Sequence, residues 1–276
     1  MSNVVSHAKA EAAPWIERLA RLGYAAVGVV YAVVGILAIA AAFGKRGRTG
    51  DQRAAFTTIL EQPFGRVLLG VVALGLVGYA LWRYVAGIND SEHRGSDAKG
   101  WALRLGSIGR GILYTVIAIE VIRMVLNGGG GSGGGNDQQA RHWTAALMDK
   151  PFGRWLLGAV GLGVIAYGLG QLLNAWKAKL SKQLRLGPMQ ESMRRKIIAV
   201  SRFGIGARGV VFTLVGGSLL IAAIRHNPSQ AQGTSGALQQ LAEPAGGMLL
   251  ALVGLGLVAY GVYGFINARW RMIHPG

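Results

Sequence analysis

Apolar residues form six runs along the chain, each about as long as the ~20-residue helix that crosses the hydrocarbon core of a bilayer. The runs show no alternation of period two, and their length argues against strands. Because backbone in lipid must satisfy its own hydrogen bonds, the pattern predicts an all-α membrane protein with six transmembrane helices. The predicted helices cover about 22–44, 64–87, 104–126, 152–175, 202–225 and 246–267.

The same residues recur three times, and each copy holds two of the predicted helices. Its first helix begins with an Arg-x-Gly triplet, and its second follows a proline that precedes a tyrosine by sixteen residues. These positions are Arg21, Arg104 and Arg202; Pro63, Pro151 and Pro244; and Tyr79, Tyr167 and Tyr260. Tandem copies of this length indicate stacked units that cannot bury their apolar faces alone. We therefore predict a pseudo-threefold bundle of three parallel two-helix repeats.

The repeats are placed at 18–90, 91–180 and 196–272, with an N-terminal segment 1–17 and a basic linker 181–195. The first run also resembles a cleaved secretory signal, but its counterparts in the other copies favour a retained helix.

Within each copy, a short amphipathic stretch precedes the proline, which predicts a helix lying in the membrane interface. The middle copy adds a glycine-rich segment, Gly128 to Gly135, of flexible linker composition.

Cations predict the orientation. The chain has 29 Lys and Arg against 12 Asp and Glu, a net charge of +17. Most cations flank the termini and the even-numbered connections, although residues 45–53 form a basic cluster on the opposite side. The positive-inside rule then predicts an inner-membrane protein with both termini in the cytoplasm and Gly128 to Gly135 outside. Anionic lipid head groups are the partners expected at the cytoplasmic face, and the absence of an aromatic-interleaved basic module excludes nucleic acid.

Glycines at helical spacing predict close helix contacts, because small residues let backbones approach each other in lipid. The glycines expected at such contacts are Gly28, Gly75, Gly163, Gly209 and Gly256.

Ionisable groups inside the runs are the candidate functional residues, since charges at membrane depth are costly. Glu120 precedes Arg123 by one turn near the outer interface, which favours an interfacial ion pair over a proton or cation pathway. Arg110 and Arg208 occupy equivalent positions about two turns inside the cytoplasmic ends, and Arg83 lies near the end of the second helix. Their long stems favour snorkelling or contact with lipid phosphate, and the lining of an anion pathway is the alternative.

Tyr79, Tyr167 and Tyr260 should share one environment if the copies pack around an axis. An aromatic belt or a packing contact is the favoured interpretation, and a ring around a central polar cavity is the alternative.

Enzymatic chemistry finds no support in the sequence. The chain has no cysteine, and its five histidines lie outside the apolar runs without ligand spacing. We predict no catalytic site, no metal and no cofactor.

The motifs resemble a known family. Pro-Phe-Gly-Arg-x-Leu-Leu-Gly at Pro63 to Gly70 and at Pro151 to Gly158, together with the three tyrosines and the tandem copies, is similar to the bacterial inner-membrane family called domain of unknown function 1206. The resemblance spans about Arg18 to Arg271 and implies a fold and a location. It implies no activity and no catalytic residue.

Two hypotheses follow for function. The first is a structural or accessory membrane protein that packs with lipid, a membrane-protein partner or its own copies, since few ionisable groups lie in the membrane. The alternative is a small transporter or channel with a pathway between the repeats. A lipid-handling role ranks third.

Overall fold

Nine helices make up the described part of the chain in this computed structural model, which describes residues 2–43, 52–90, 95, 97–127, 136–177, 190–242 and 247–271. They are α1 Ser2–Ala42, α2 Gln52–Leu60, α3 Gly65–Ile88, α4 Ala98–Leu126, α5 Asn136–Met148, α6 Gly153–Lys177, α7 Glu191–Arg225, α8 Thr234–Ala242 and α9 Met248–Trp270. The predicted linker Gly128 to Gly135 lies outside the described residues, as does most of the predicted basic linker.

Six helices are long and apolar enough to cross a membrane: α1 from Glu17 onward, α3, α4 from Gly100 onward, α6, α7 and α9. The all-α membrane architecture predicted from the apolar runs is therefore confirmed. Two helices begin before the predicted repeats that contain them: α1 begins at Ser2, in the predicted N-terminal segment, and α7 begins at Glu191, inside the predicted linker. Residues 191–201 contain no glycine or proline to stop the helix, so it extends well past its apolar part.

Three short helices, α2, α5 and α8, separate the long helices of each repeat, at the positions of the predicted amphipathic stretches. We call the end of the bundle where they lie the loop face, and the opposite end, where α3, α6 and α9 finish, the termini face. On the loop face, α3 and α6 are preceded by Phe64 and Phe152, which hold left-handed φ angles of 59° and 61°. In the third repeat Gly247 takes this role with φ 85°, at much lower steric cost.

Three equivalent arginines join each repeat to its neighbour at the termini face. Arg104 donates to Gly87 and Ile88 carbonyls at the end of α3, at 2.9 and 2.6 Å. The other two do the same: Arg202 donates to Ala175 and Trp176 at the end of α6, and Arg21 donates to Ala268 and Arg269 at the end of α9. Each guanidinium thus satisfies carbonyls that a helix end leaves unpaired, and it complements the negative end of that helix dipole. The repeated Arg-x-Gly triplet is therefore a cyclic clasp between repeats.

The long helices form a pseudo-threefold ring that has one open position. Packing runs from α4 to α3, α1, α9, α7 and finally α6, and each of these neighbours is in extended contact. The two helices of the first repeat, α1 and α3, pack together, and so do α7 and α9 of the third. In the second repeat, α4 and α6 do not pack along their length. We call the gap between α4 and α6 the seam.

Candidate functional site

Six aromatic side chains surround the pseudo-threefold axis, and each pair joins two repeats. The tyrosine of one repeat meets, edge to face, an aromatic residue on the first long helix of the next repeat. The pairs are Tyr79 with Tyr114 (ring centres 4.6 Å apart), Tyr167 with Phe212 (5.3 Å) and Tyr260 with Tyr31 (4.7 Å). The three repeated tyrosines are therefore copy-to-copy contacts that form an inner ring. They do not form an aromatic belt, since Tyr79 and Tyr260 are buried.

Arg208 lies inside this ring, with only 4 % of its surface exposed. Its Nε donates to the hydroxyl of Tyr31 at 3.0 Å, and Nη1 donates to the hydroxyl of Tyr260. Its guanidinium also lies 5.8 Å from the ring centre of Tyr167. Phenol oxygens and aromatic faces offset the cost of removing the cation from water. Arg208 thus contacts all three repeats and does not snorkel, contrary to the favoured prediction.

Two further buried arginines lie nearer the termini face. Arg83 donates to the hydroxyl of Tyr24 at 3.1 Å, and its guanidinium lies 4.8 Å from the ring centre of Tyr79. Arg271 lies 5.1 Å from the ring centre of Tyr24 and donates to Asn267 Oδ1 at 2.9 Å. The expectation that Arg83 snorkels was also wrong. Its side chain points into the bundle, where it contacts the Tyr79 ring and donates to the Tyr24 hydroxyl.

Arg110, the counterpart of Arg208 in the second repeat, differs from these three. It is half-buried, and it donates to Gly106 O at 3.0 Å and to Ser107 Oγ at 3.2 Å, both within its own helix. The equivalent partner tyrosine, Tyr167, instead accepts a hydrogen bond from Gln171 Nε2. Arg110 is therefore held at the edge of the seam by hydrogen bonds to its own helix.

These residues enclose a cavity of about 350 Å³. Its lining contains four arginines, Arg83, Arg110, Arg208 and Arg271, with Tyr24, Tyr79, Tyr167, Tyr260 and Tyr263 and the amides Gln171, Asn174 and Asn267. Among the described residues that line it there is no aspartate or glutamate. Guanidinium forks, phenol hydroxyls and amide N–H groups are donors for phosphate or carboxylate oxygens. Such a lining can bind an anion.

Toward the loop face the interior of the bundle is apolar. Leu69 lies ten residues before Tyr79 on α3, which is ~15 Å along the helix, and it is fully buried. Val34 on α1 and Leu250 and Leu257 on α9 are each no more than 1 % exposed in the same half of the bundle. The polar lining is confined to the half near the termini face.

Glu120 and Arg123 lie elsewhere. Both line a separate groove of about 370 Å³ near the loop face, between α4 and α5, together with Gln139 and Trp143. Glu120 is half-buried and Arg123 is exposed. The interfacial position of this pair stays a prediction, and neither residue lines the arginine cavity.

The glycines selected from the sequence divide into two groups. A Cβ on Gly28, Gly75, Gly209 or Gly256 would come within 3 Å of a neighbouring helix, so these four lie at close contacts. Gly163 differs from its counterparts Gly75 and Gly256, because a Cβ there would meet nothing within 4 Å. The packing prediction for Gly163 is therefore wrong for the single chain, since the facing helix α4 stands away from it across the seam.

Sequence reasoning missed Arg271, Asn267, Gln171 and Asn174 as cavity residues. A signal for them exists: they follow a repeated tyrosine by four, seven or eleven residues and therefore share its helix face. Arg83 follows Tyr79 by four in the same way. No group of three His, Cys, Asp or Glu side chains that could hold a metal lies among the residues the structure describes.

Comparison with known proteins agrees with the repeats. The family described as Domain of Unknown Function (DUF1206) matches three segments, 22–90, 105–178 and 203–271. A Bacillus subtilis (strain 168) protein, "Uncharacterized protein YxxB", is 35% identical over 268 residues, which cover 97% of this chain and 95% of that protein. No solved structure matches the chain. The three segments fall on the three helix pairs of the ring, and the chain belongs to this DUF1206 family of threefold repeats.

Proposed function

We propose that this protein is a non-catalytic, accessory membrane protein that binds an anionic group, phosphate or carboxylate, in the arginine cavity. The observation that carries the proposal is the convergence of Arg83, Arg110, Arg208 and Arg271 on one cavity. Arg83 on α3, Arg208 on α7 and Arg271, directly after α9, are each more than nine-tenths buried, and Arg110 on α4 is half-buried. Several guanidinium groups around one cavity can donate charge-assisted hydrogen bonds to the same anion, and such bonds are the strong ones.

The ring supports binding better than passage. A transporter or channel needs a path through the half of the bundle near the loop face, and there Val34, Leu69 and Leu250 fill the interior. We therefore prefer an accessory, ligand-holding role to the transport alternative.

We also infer that the termini face is cytoplasmic and that the membrane is the inner membrane. The cavity arginines and the clasp arginines lie at that end, and the positive-inside rule places such cations in the cytoplasm. The chain lacks cysteine, so single cysteines report the topology directly. Asn89→Cys, at the end of α3, should be protected from an impermeant thiol reagent in intact cells, and Asp149→Cys, before α6, should be labelled. The reverse pattern would overturn the orientation.

Anion binding is tested most cleanly at Arg110, because its hydrogen bonds stay within α4 and its removal leaves the packing between helices intact. Arg110→Gln and the parent are compared in lipid nanodiscs, with inorganic phosphate and with phosphatidylglycerol in phosphatidylcholine as probes. A ligand that binds the folded state raises its melting temperature. A charge-assisted hydrogen bond contributes roughly 1.5–3 kcal/mol, so we expect the dissociation constant to rise about 10-fold or more.

The matched control is Arg123→Gln, which removes an exposed arginine at the loop face. It should bind both probes as the parent does. If the parent binds neither probe, or if both variants lose affinity equally, the cavity is not the anion site and the proposal fails.

A further inference from the structure

The second repeat keeps the residues that close the other two repeats, although its helices stand apart. In the first repeat, a Cβ on Gly23 would lie 2.6 Å from the backbone of Tyr79; in the third, one on Gly204 would lie 2.4 Å from that of Tyr260. The counterpart in the second repeat is Gly106, which meets nothing within 4 Å. Gly109 and Gly163 likewise correspond to residues in contact elsewhere, and both are open here.

The seam leads into the arginine cavity. Its α4 edge carries Leu103 and Arg110, and its α6 edge carries Ala166, Tyr167 and Gly170; all five line the cavity. Gly106 lies on the same α4 face, one turn from each of the two α4 residues. Leu103 is 46% exposed, and Ala166 is exposed as well, so the lining continues to the outer surface of the bundle. At this level that surface faces the bilayer.

We infer that the seam is a lateral entrance through which an anionic lipid places its head group in the cavity while its acyl chains stay in the bilayer. This inference rests on the proposed anion binding and names the ligand class. Two observations select a lipid: the cavity lining offers Arg110 and Arg208 together with phenol and amide donors, and the seam that opens one side of it carries Leu103, Ala166 and Gly170 on its edges.

The size of the cavity agrees with this ligand. About 350 Å³ is at the lower end of pockets that hold small organic ligands, roughly 300–1,000 Å³. A phosphate-bearing head group fits such a volume, whereas two acyl chains do not. A head group can therefore enter only if its acyl chains have a way out, and the seam between α4 and α6 provides one.

The first and third repeats indicate how the entrance closes. There the two helices of a repeat meet through glycine, and Arg208 binds the tyrosine of its own repeat. In the second repeat the same closure would set Gly106 against α6 and bring Arg110 to Tyr167, whose hydroxyl is now bonded to Gln171. An anion that bridges the cavity arginines would favour this closed arrangement, because it draws cations on α4, α7 and α3 together.

The test fills the seam and leaves every arginine in place. Gly106→Trp combined with Gly163→Trp puts two indoles into the gap, where each glycine has open space. The control is Gly217→Trp on α7, a glycine that also has nothing within 4 Å but lies away from the seam. Phosphatidylglycerol retained from phosphatidylcholine nanodiscs is measured by native mass spectrometry, and inorganic phosphate binding by equilibrium dialysis.

We expect the filled seam to reduce phosphatidylglycerol retention at least 10-fold and to change phosphate binding less than about twofold, whereas the control matches the parent. Should the tryptophan variant fail to fold, Gly163→Cys modified after folding with a bulky thiol reagent repeats the test in a chain without other cysteines.

The outcomes separate the two proposals. If the parent binds phosphate but not phosphatidylglycerol, or if the filled seam retains the lipid as well as the parent, the lateral entrance is overturned and anion binding stands. If the parent binds neither probe, anion binding itself is overturned. If the cysteine at 163 is protected by a second copy in a stable dimer, the seam is a subunit interface and the entrance is likewise overturned.

Discussion

The first and second repeats share five equivalent glycines in their long helices, yet one repeat is closed and the other open. In the first repeat, Gly75 is placed so that a Cβ would lie 2.5 Å from the Ala26 methyl, and α1 and α3 pack along their length. In the second, Gly163 faces Gly109 in sequence register, and the helices do not pack. Glycine does pack against glycine elsewhere in the ring, since a Cβ on Gly28 would lie 2.8 Å from Gly261 O. The same small residue is therefore a close contact in one helix pair and open in another, so small residues permit close packing but do not ensure it.

The repeats also differ at the position of the equivalent arginines. Arg208 of the third repeat reaches hydroxyls on α1 and α9, while Arg110 of the second stays on its own helix. The first repeat has Val27 at this position. The clasps and the aromatic pairs therefore follow the threefold symmetry, whereas the residue at this arginine position does not. The departure from symmetry lies at the seam.

The largest expected effect is a leucine at the contact glycine of a closed repeat. Gly204→Leu places a side chain against the backbone of Tyr260, which cannot move aside as a flexible side chain could. We therefore expect the variant to misfold or to lose roughly 3 kcal/mol or more in the free energy of unfolding. Gly106→Leu in the open repeat should change it by less than about 0.5 kcal/mol. Both are measured by unfolding in mixed detergent micelles. Equal losses would mean that the seam is closed in the folded protein in solution.

A smaller effect separates the two equivalent arginines. Arg208→Lys keeps the positive charge. The lysine ammonium cannot reproduce the planar guanidinium group, which donates hydrogen bonds to both Tyr31 and Tyr260. Two buried hydrogen bonds at about 1 kcal/mol each predict a loss of about 2 kcal/mol. Arg110→Lys, whose bonds stay within α4, should cost under about 0.5 kcal/mol. The same denaturation experiment compares them, and a matching loss at both positions would show that Arg110 already bonds across the seam.

The sequence predicted the architecture because its signals are local and repeated. Run length alone defines a membrane-spanning helix, and the recurring prolines and tyrosines imply a threefold arrangement before any contact is known. The boundary at α7 failed for a related reason: helix propensity continues beyond the apolar run, and hydropathy does not detect it.

The site was harder to predict, because its contacts join distant parts of the chain. Arg208 meets Tyr31 across 177 residues, and no local pattern shows that the two face each other. An arginine on a helix considered alone is expected to snorkel. Its burial in the folded protein depends on which faces of the helices turn toward the axis. Equivalence between repeats also misled at Gly163, where the sequence predicts a contact that the ring lacks.

The smallest effect is expected at Glu120, and it tests whether function belongs to the cavity or to the opposite end of α4. If the groove near the loop face belonged to a proton or cation pathway, the Glu120→Gln protein would fold but would fail to complement a deletion strain. Because Glu120 is half-buried near the loop face, one turn from an exposed Arg123, we expect its charge to contribute only roughly a few tenths of a kcal/mol. Glu120→Gln should then complement like the parent at matched membrane abundance, whereas Arg110→Gln should not. A normally folded Glu120→Gln protein that fails to complement would move the functional site to the loop face and reverse the comparison on which the cavity proposal depends.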